Sequence, residues 1–110
     1  MTSVQLPGPL EAFFAAMNAH NTEAALDCLA DDAAVLDEGQ LMKGHEAIRE
    51  WMNETSRKYG ATVVPSQVEQ GDTKTVVTAM VSGTFPGSPI SLRYVFALSA
   101  NKIANLEIGQ

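Results

Sequence analysis

A chain of 110 residues, 45% of them hydrophobic, has room for one compact core, and it reads as a single domain over residues 1–110 that needs no disulfide or metal staple. Its 13 acidic and 7 basic residues leave a net charge of -6, which repels phosphate backbones and anionic lipid surfaces and so excludes nucleic acid and membranes as expected partners. Cys28 is alone, no apolar run nears the roughly 18 residues that span a bilayer, and Met1 to Pro9 lacks the basic start and apolar centre of a secretory signal, so a soluble protein of the reducing cytoplasm is expected.

The first element is a helix from Pro9 to His20, with proline in a favoured first-turn position and Leu10, Phe13, Phe14 and Met17 at helical spacing. Thr22 caps a second, short helix whose stripe is Ala25, Leu26, Cys28 and Leu29 and which stops near Asp31. The stretch AAVLD then alternates as a strand, Val35 and Asp37 on one side, Ala34 and Leu36 on the other, with a turn at Gly39. After an extended piece at Leu41 to Lys43, Gly44 opens a longer helix with Ile48, Trp51, Met52 and Thr55 on one face, and Gly60 ends it.

From Ala61 onward the pattern is strands: ATVVPSQVEQ, TKTVVTAMVSGTF, ISLRYVFALS and KIANLEI, with turn residues between them, most simply paired as an antiparallel meander. Helices in the first half and strands in the second give an α+β chain with the helices on one face of the sheet. Leu92, Tyr94, Phe96 and Leu98 share one face of their strand, while Val95 and Ala97 share the other with Arg93; Val77, Ala79, Val81 and Phe85 likewise oppose Val76 and Met80. A second apolar sheet face calls for a cover, and a homodimer through the sheet supplies it.

The run MNAHNTEAALDCLADDAAVLDEG followed by KGHEAIREWM, and the closing YVFALSANKIANLEI, resemble SnoaL-like and ketosteroid isomerase-like proteins of the nuclear transport factor two-like superfamily. The resemblance covers nearly the whole chain. It implies three N-terminal helices packed on a curved antiparallel sheet to form a cone, the cystatin-like or ketosteroid isomerase-like α+β barrel, with an apolar pocket inside and dimerisation through the sheet. Such a fold hosts isomerases, cyclases, hydrolases, dehydratases and binders without catalysis, so the site must supply the function. By the same resemblance Asp37 matches the carboxylate that moves a proton next to a carbonyl, a task that needs a base in an apolar pocket and donors for the developing enolate. Phe13 sits at the tyrosine donor position and has no hydroxyl to give. The second donor position falls on Arg93 in an ungapped match, or on Tyr94 if the Ser-Ala-Asn turn is one residue shorter; alternation favours Tyr94.

Asp37 and Tyr94 are thus the candidate catalytic pair, and Phe13, Met17, Val35, Trp51, Phe96 and Leu106 the expected ligand-binding wall. Each has a plainer reading beside it: Asp37 capping the turn at Gly39, Tyr94 and Trp51 as ordinary core rings, the methionines as gap-fillers. His45 reads as a solvated residue near Glu46, and His20 as a helix-end residue complementing the dipole. Asp31, Asp32, Asp37 and Glu38 lack the order of a calcium loop and have no histidine pair beside them, so turn acids rather than a metal site are expected. There is no Gly-rich phosphate loop, serine elbow or Cys-His pair, and no cofactor is expected. Two functions fit: a cofactor-independent isomerase or cyclase acting on a small apolar organic molecule with Asp37 as base, or a ligand-binding or dimerisation domain without catalysis.

Overall fold

Proline decides where the chain first turns helical. In the computed structural model, which describes residues 6–109, Pro9 lies in the first turn of helix α1, Gly8–Asn18, where its missing N–H forfeits no bond. The helix stops two residues earlier than its apolar spacing predicts. His20 adopts φ 56°, and its N–H and that of Asn21 bond back to the carbonyls of Met17 and Ala16, the reciprocal pair that closes a left-handed helix end. Asn21, not Thr22, then caps α2, Thr22–Leu26, by accepting from the Ala24 N–H at 3.2 Å.

Helix α2 ends at Leu26 and not near Asp31, because the chain is already pairing from Leu29: strand β1 runs Leu29–Asp37. Asp31 and Asp32 are exposed residues of this strand, not of a turn. Glu38 and Gly39, at φ 53° and 76°, form a two-residue hairpin loop of the type whose twist suits the flanking strands, and β2, Gln40–Lys43, returns alongside. Helix α3, Gly44–Tyr59, buries Ile48 and Met52, carries Arg57 and Lys58 in its last turn and ends at Gly60 with φ 55°.

Strands β3, Thr62–Gln70, β4, Thr75–Ser82, β5, Ile90–Ser99, and β6, Lys102–Gly109, form the expected meander. The sheet order is β2-β1-β6-β5-β4-β3, and β1 lies parallel to β6. The sheet is therefore mixed rather than antiparallel, since β1 reaches β6 through α3 and the meander and no hairpin dictates its direction. It is also not closed into a barrel: β2 and β3 are free edges. Ladder register shifts at Leu29/Ala34, Pro65/Gln67 and Ala97/Leu98 are irregularities of the kind that bend a sheet. The last of them turns Leu98 out of the face it was expected to share with Phe96. Phe85 likewise leaves the β4 pattern, because that strand ends at Ser82; its ring packs edge-on against Tyr59 at 5.6 Å.

Helix α3 lies over β1 and β2, while α1 reaches β3 and β6, all on one face of the sheet. Between helix and sheet an aromatic plug fills the core: Phe13 meets Phe96 at 5.9 Å and 80°, and Phe14 meets Tyr94 at 5.3 Å and 75°, both edge to face. The opposite face carries half-exposed apolar pairs, Val76 with Val95 and Val64 with Met80, next to Arg93 and Glu107. Among the described residues no helix is long and apolar enough to cross a membrane.

Phe96 is fully buried at the centre of this plug, so Phe96→Ala should cost about 3–5 kcal/mol by urea unfolding. Arg93→Ala, three residues away on the outer face, should change stability by no more than about 0.5 kcal/mol.

Candidate functional site

Beyond the aromatic plug the space between helices and sheet is not filled by side chains. A half-open cavity of about 650 Å³ remains, within the range that small-molecule sites occupy. Met17 of α1, Trp51 and Tyr59 of α3, Phe85 of the β4–β5 loop, and Asp37 and Tyr94 of the sheet all face it.

The position of Asp37 follows from strand alternation. Val35, two residues earlier, is fully buried, so Asp37 projects toward the same side, at the last rung before the Glu38-Gly39 loop. Asp37 is paired across β1 and β6 with Ile108, and Ile108 across β6 and β5 with Tyr94. The three form one cross-strand row, so Asp37 and Tyr94 stand two strands, about 10 Å, apart at the backbone on a common face. Asp37 Oδ2 accepts a hydrogen bond from Trp51 Nε1 at 3.1 Å. Burial raises the pKa of this carboxyl; the indole N–H opposes the shift in part, and the neighbouring Glu38 charge adds to it. Tyr94 is 3% exposed, and burial first, then the Asp37 charge, pushes its phenol up, which keeps it a proton-bearing donor.

Four members of the expected wall lie elsewhere. Phe13, Val35, Phe96 and Leu106 are all at most 1% exposed and belong to the packed core beneath the cavity, because large rings from α1 and β5 close the narrow end of the space. Met17, Trp51, Asp37 and Tyr94 do face the cavity, and Arg93 points to the outer side of the sheet. His45 is not solvated beside Glu46: its Nε2 lies 3.1 Å from both the Leu29 and Ala30 carbonyls, next to the β1–β6 register shift that leaves those groups in need of a partner. His20 sits at the cavity mouth, with Nδ1 2.6 Å from Ser56 Oγ.

Other contributors were not singled out from sequence. Ser56 and Tyr59 continue the Trp51-Met52-Thr55 face at helical spacing, so periodicity could have found them. Asn18 could not have been found that way: its amide donates to the Val63 carbonyl at 2.8 Å and accepts from the Val63 N–H at 2.7 Å, clamping the end of α1 to β3. The β4–β5 loop is held just as closely. The Thr84 N–H donates to the Tyr59 carbonyl at 3.0 Å, and a Cβ on Gly83 would stand 2.9 Å from that same oxygen, so only glycine permits the approach. Among the described residues no three His, Cys, Asp or Glu side chains gather as metal ligands would.

The family model for the SnoaL-like domain matches residues 10–104. Among solved structures the chain is similar to a polyketide cyclase candidate from Sinorhizobium meliloti, with 36% identity over 94% of this chain and 95% of that one and a TM-score of 0.92. It shares its fold with a ketosteroid isomerase-like protein from Catenulispora acidiphila crystallised with trimethylamine, at 19% identity, 96% and 87% coverage and a TM-score of 0.84. It also shares it with the epoxide hydrolase/cyclase-like enzyme SalBIII of salinomycin pyran-ring formation, at 20% identity, 91% and 85% coverage and a TM-score of 0.80. No curated protein matches the sequence significantly.

The raised pKa of Asp37 has a consequence for stability. A carboxyl that holds its proton more tightly in the native than in the unfolded chain stabilises the fold below its ordinary pKa, and that contribution is lost as the pH rises through the native value. Asp37→Asn, neutral at every pH and still able to accept from Trp51, should therefore raise the urea midpoint at pH 7. The two midpoints should converge as the pH falls below about 3.9.

Proposed function

The chain belongs to the SnoaL-like family, and on that footing we propose that it is a cofactor-independent isomerase or cyclase that moves a proton next to a carbonyl in a small, mostly apolar substrate. The observation that carries this reading is the half-buried Asp37 carboxylate facing a cavity whose sheet wall also presents Tyr94 in the same row. The name borne by the Sinorhizobium meliloti relative, a polyketide cyclase candidate, points to the same class of chemistry.

In this mechanism the Trp51 N–H holds one oxygen of Asp37 and leaves the other free to take a proton from the carbon beside the substrate carbonyl. As the C–H bond breaks, its electron pair moves into the carbonyl, and the Tyr94 hydroxyl donates to the oxygen that gains charge. The protonated Asp37 then returns its proton to another carbon, which completes an isomerisation. Alternatively the enolate carbon attacks a second carbonyl of the same molecule and Asp37 protonates the new alkoxide, which completes a ring closure. Phe13 lies in the core without a hydroxyl, so Tyr94 carries the donor role without the tyrosine that the family's isomerases place at that position.

The test uses 5-nitrobenzisoxazole, whose N–O bond breaks when a base removes its ring C–H proton. The wild-type protein should accelerate this opening above buffer carboxylate, and Asp37→Asn should lower the rate by about 100-fold or more. Trp51→Phe removes the donor that favours the ionised carboxylate and should move the pH-rate profile to higher pH. An Asp37→Asn protein that folds and keeps its rate overturns the assignment and leaves a ligand-binding domain without catalysis.

The partner we assign to the outer sheet face is a second copy of the chain. Val76, Val95, Val64 and Met80 form apolar pairs there, and Arg93 with Glu107 offers opposite charges to a twofold-related neighbour. Sedimentation should find a dimer at micromolar concentration, and Val95→Lys should convert it to a folded monomer. A monomeric wild-type protein removes the assignment.

A further inference from the structure

The cavity wall carries formal charge of one sign. Asp37 and Glu38 line it, and among the described residues no lysine or arginine does; His20, at the mouth against Ser56, is the only basic group on the wall. Arg49 pairs with Glu23 at 2.8 Å, Lys58 lies over the Tyr59 ring at 5.3 Å and lines an adjoining groove that shares Glu38 with the cavity and also holds Glu50 and Glu54, and Arg93 is on the outer face.

Asp37 is thus a half-buried carboxylate whose side-chain hydrogen bond comes from a neutral indole, with acceptor capacity left toward the cavity. Tyr94 is almost wholly buried and presents its hydroxyl to the same space. Around these groups stand the rings of Trp51, Tyr59, Phe85 and Tyr94. Carboxylate and aromatic faces together attract a positive head group, and neither compensates a negative one.

We propose that the natural ligand is an apolar molecule bearing a protonated amine, and that the cavity rejects molecules that would bring a carboxylate or phosphate inside. This rests on the reading of the cavity as a ligand site and adds the charge of the substrate to it. Glu38, exposed at the rim, attracts the ammonium group, while Asp37 keeps a free lone pair for the carbon-bound proton.

Three probes that share one apolar body and differ in charge decide the matter: 1-adamantylamine, 1-adamantanol and 1-adamantanecarboxylate, titrated at pH 8 with Trp51 fluorescence and calorimetry as readouts. The amine should bind about tenfold more tightly than the alcohol, and the carboxylate at least about tenfold more weakly. Glu38→Gln should shrink the preference for amine over alcohol about threefold while leaving alcohol binding unchanged, so the ratio of the two affinities reads ligand charge apart from the role of Asp37 as base. A carboxylate that binds as well as the amine overturns the inference even if Asp37 proves to be the base. Binding of none of the three overturns the cavity as a site for ligands of this size, and the inference with it.

Discussion

The parallel pairing of β1 with β6 is the constraint on which the site depends. It carries Asp37 opposite Ile108 and, one strand further, opposite Tyr94, so that residues nearly sixty positions apart in sequence share one row on one face. A slip of one residue in that ladder would turn Asp37 to the outer side together with Val35, exposing a buried valine. Val35 therefore enforces the register that the carboxylate requires, and His45 braces the far end of the same strand by serving the Leu29 and Ala30 carbonyls.

The inner face of the sheet is divided between packing and vacancy. Where α1 crosses it, Phe13, Phe14, Phe96 and Tyr94 interlock at edge-to-face distances and leave no space for a ligand. Toward the end of α3 the cavity begins, lined from the helix by Trp51, Thr55, Ser56 and Tyr59. Tyr94 belongs to both regions: its ring completes the plug and its hydroxyl borders the open space. The rigidity of the core is thereby passed directly to the Tyr94 hydroxyl.

Much of this was legible in sequence because it follows local periodicity. The helix faces of Phe13 and Trp51, the alternation of Val35 with Asp37, the glycine stop at Gly60 and the meander all rest on spacings within a few residues. The parallel neighbour of β1 was not legible, since pairing between distant strands leaves no mark in either one. The division of apolar residues into plug and cavity wall was not legible either: Phe96 and Tyr94 have the same alternation and both pack under Phe14, and only the helices above them decide that Tyr94 also borders the cavity. His45 was misread for a related reason, because the carbonyls it serves are exposed by a ladder irregularity that composition does not announce.

Gly83 draws the β4–β5 loop so close to the Tyr59 carbonyl that the loop and the last turn of α3 share hydrogen bonds, and both contribute rings to the cavity. That side of the entrance has no flap able to swing by itself. Any widening of the cavity on this side therefore moves the helix end and the loop together, and with them the rings of Tyr59 and Phe85.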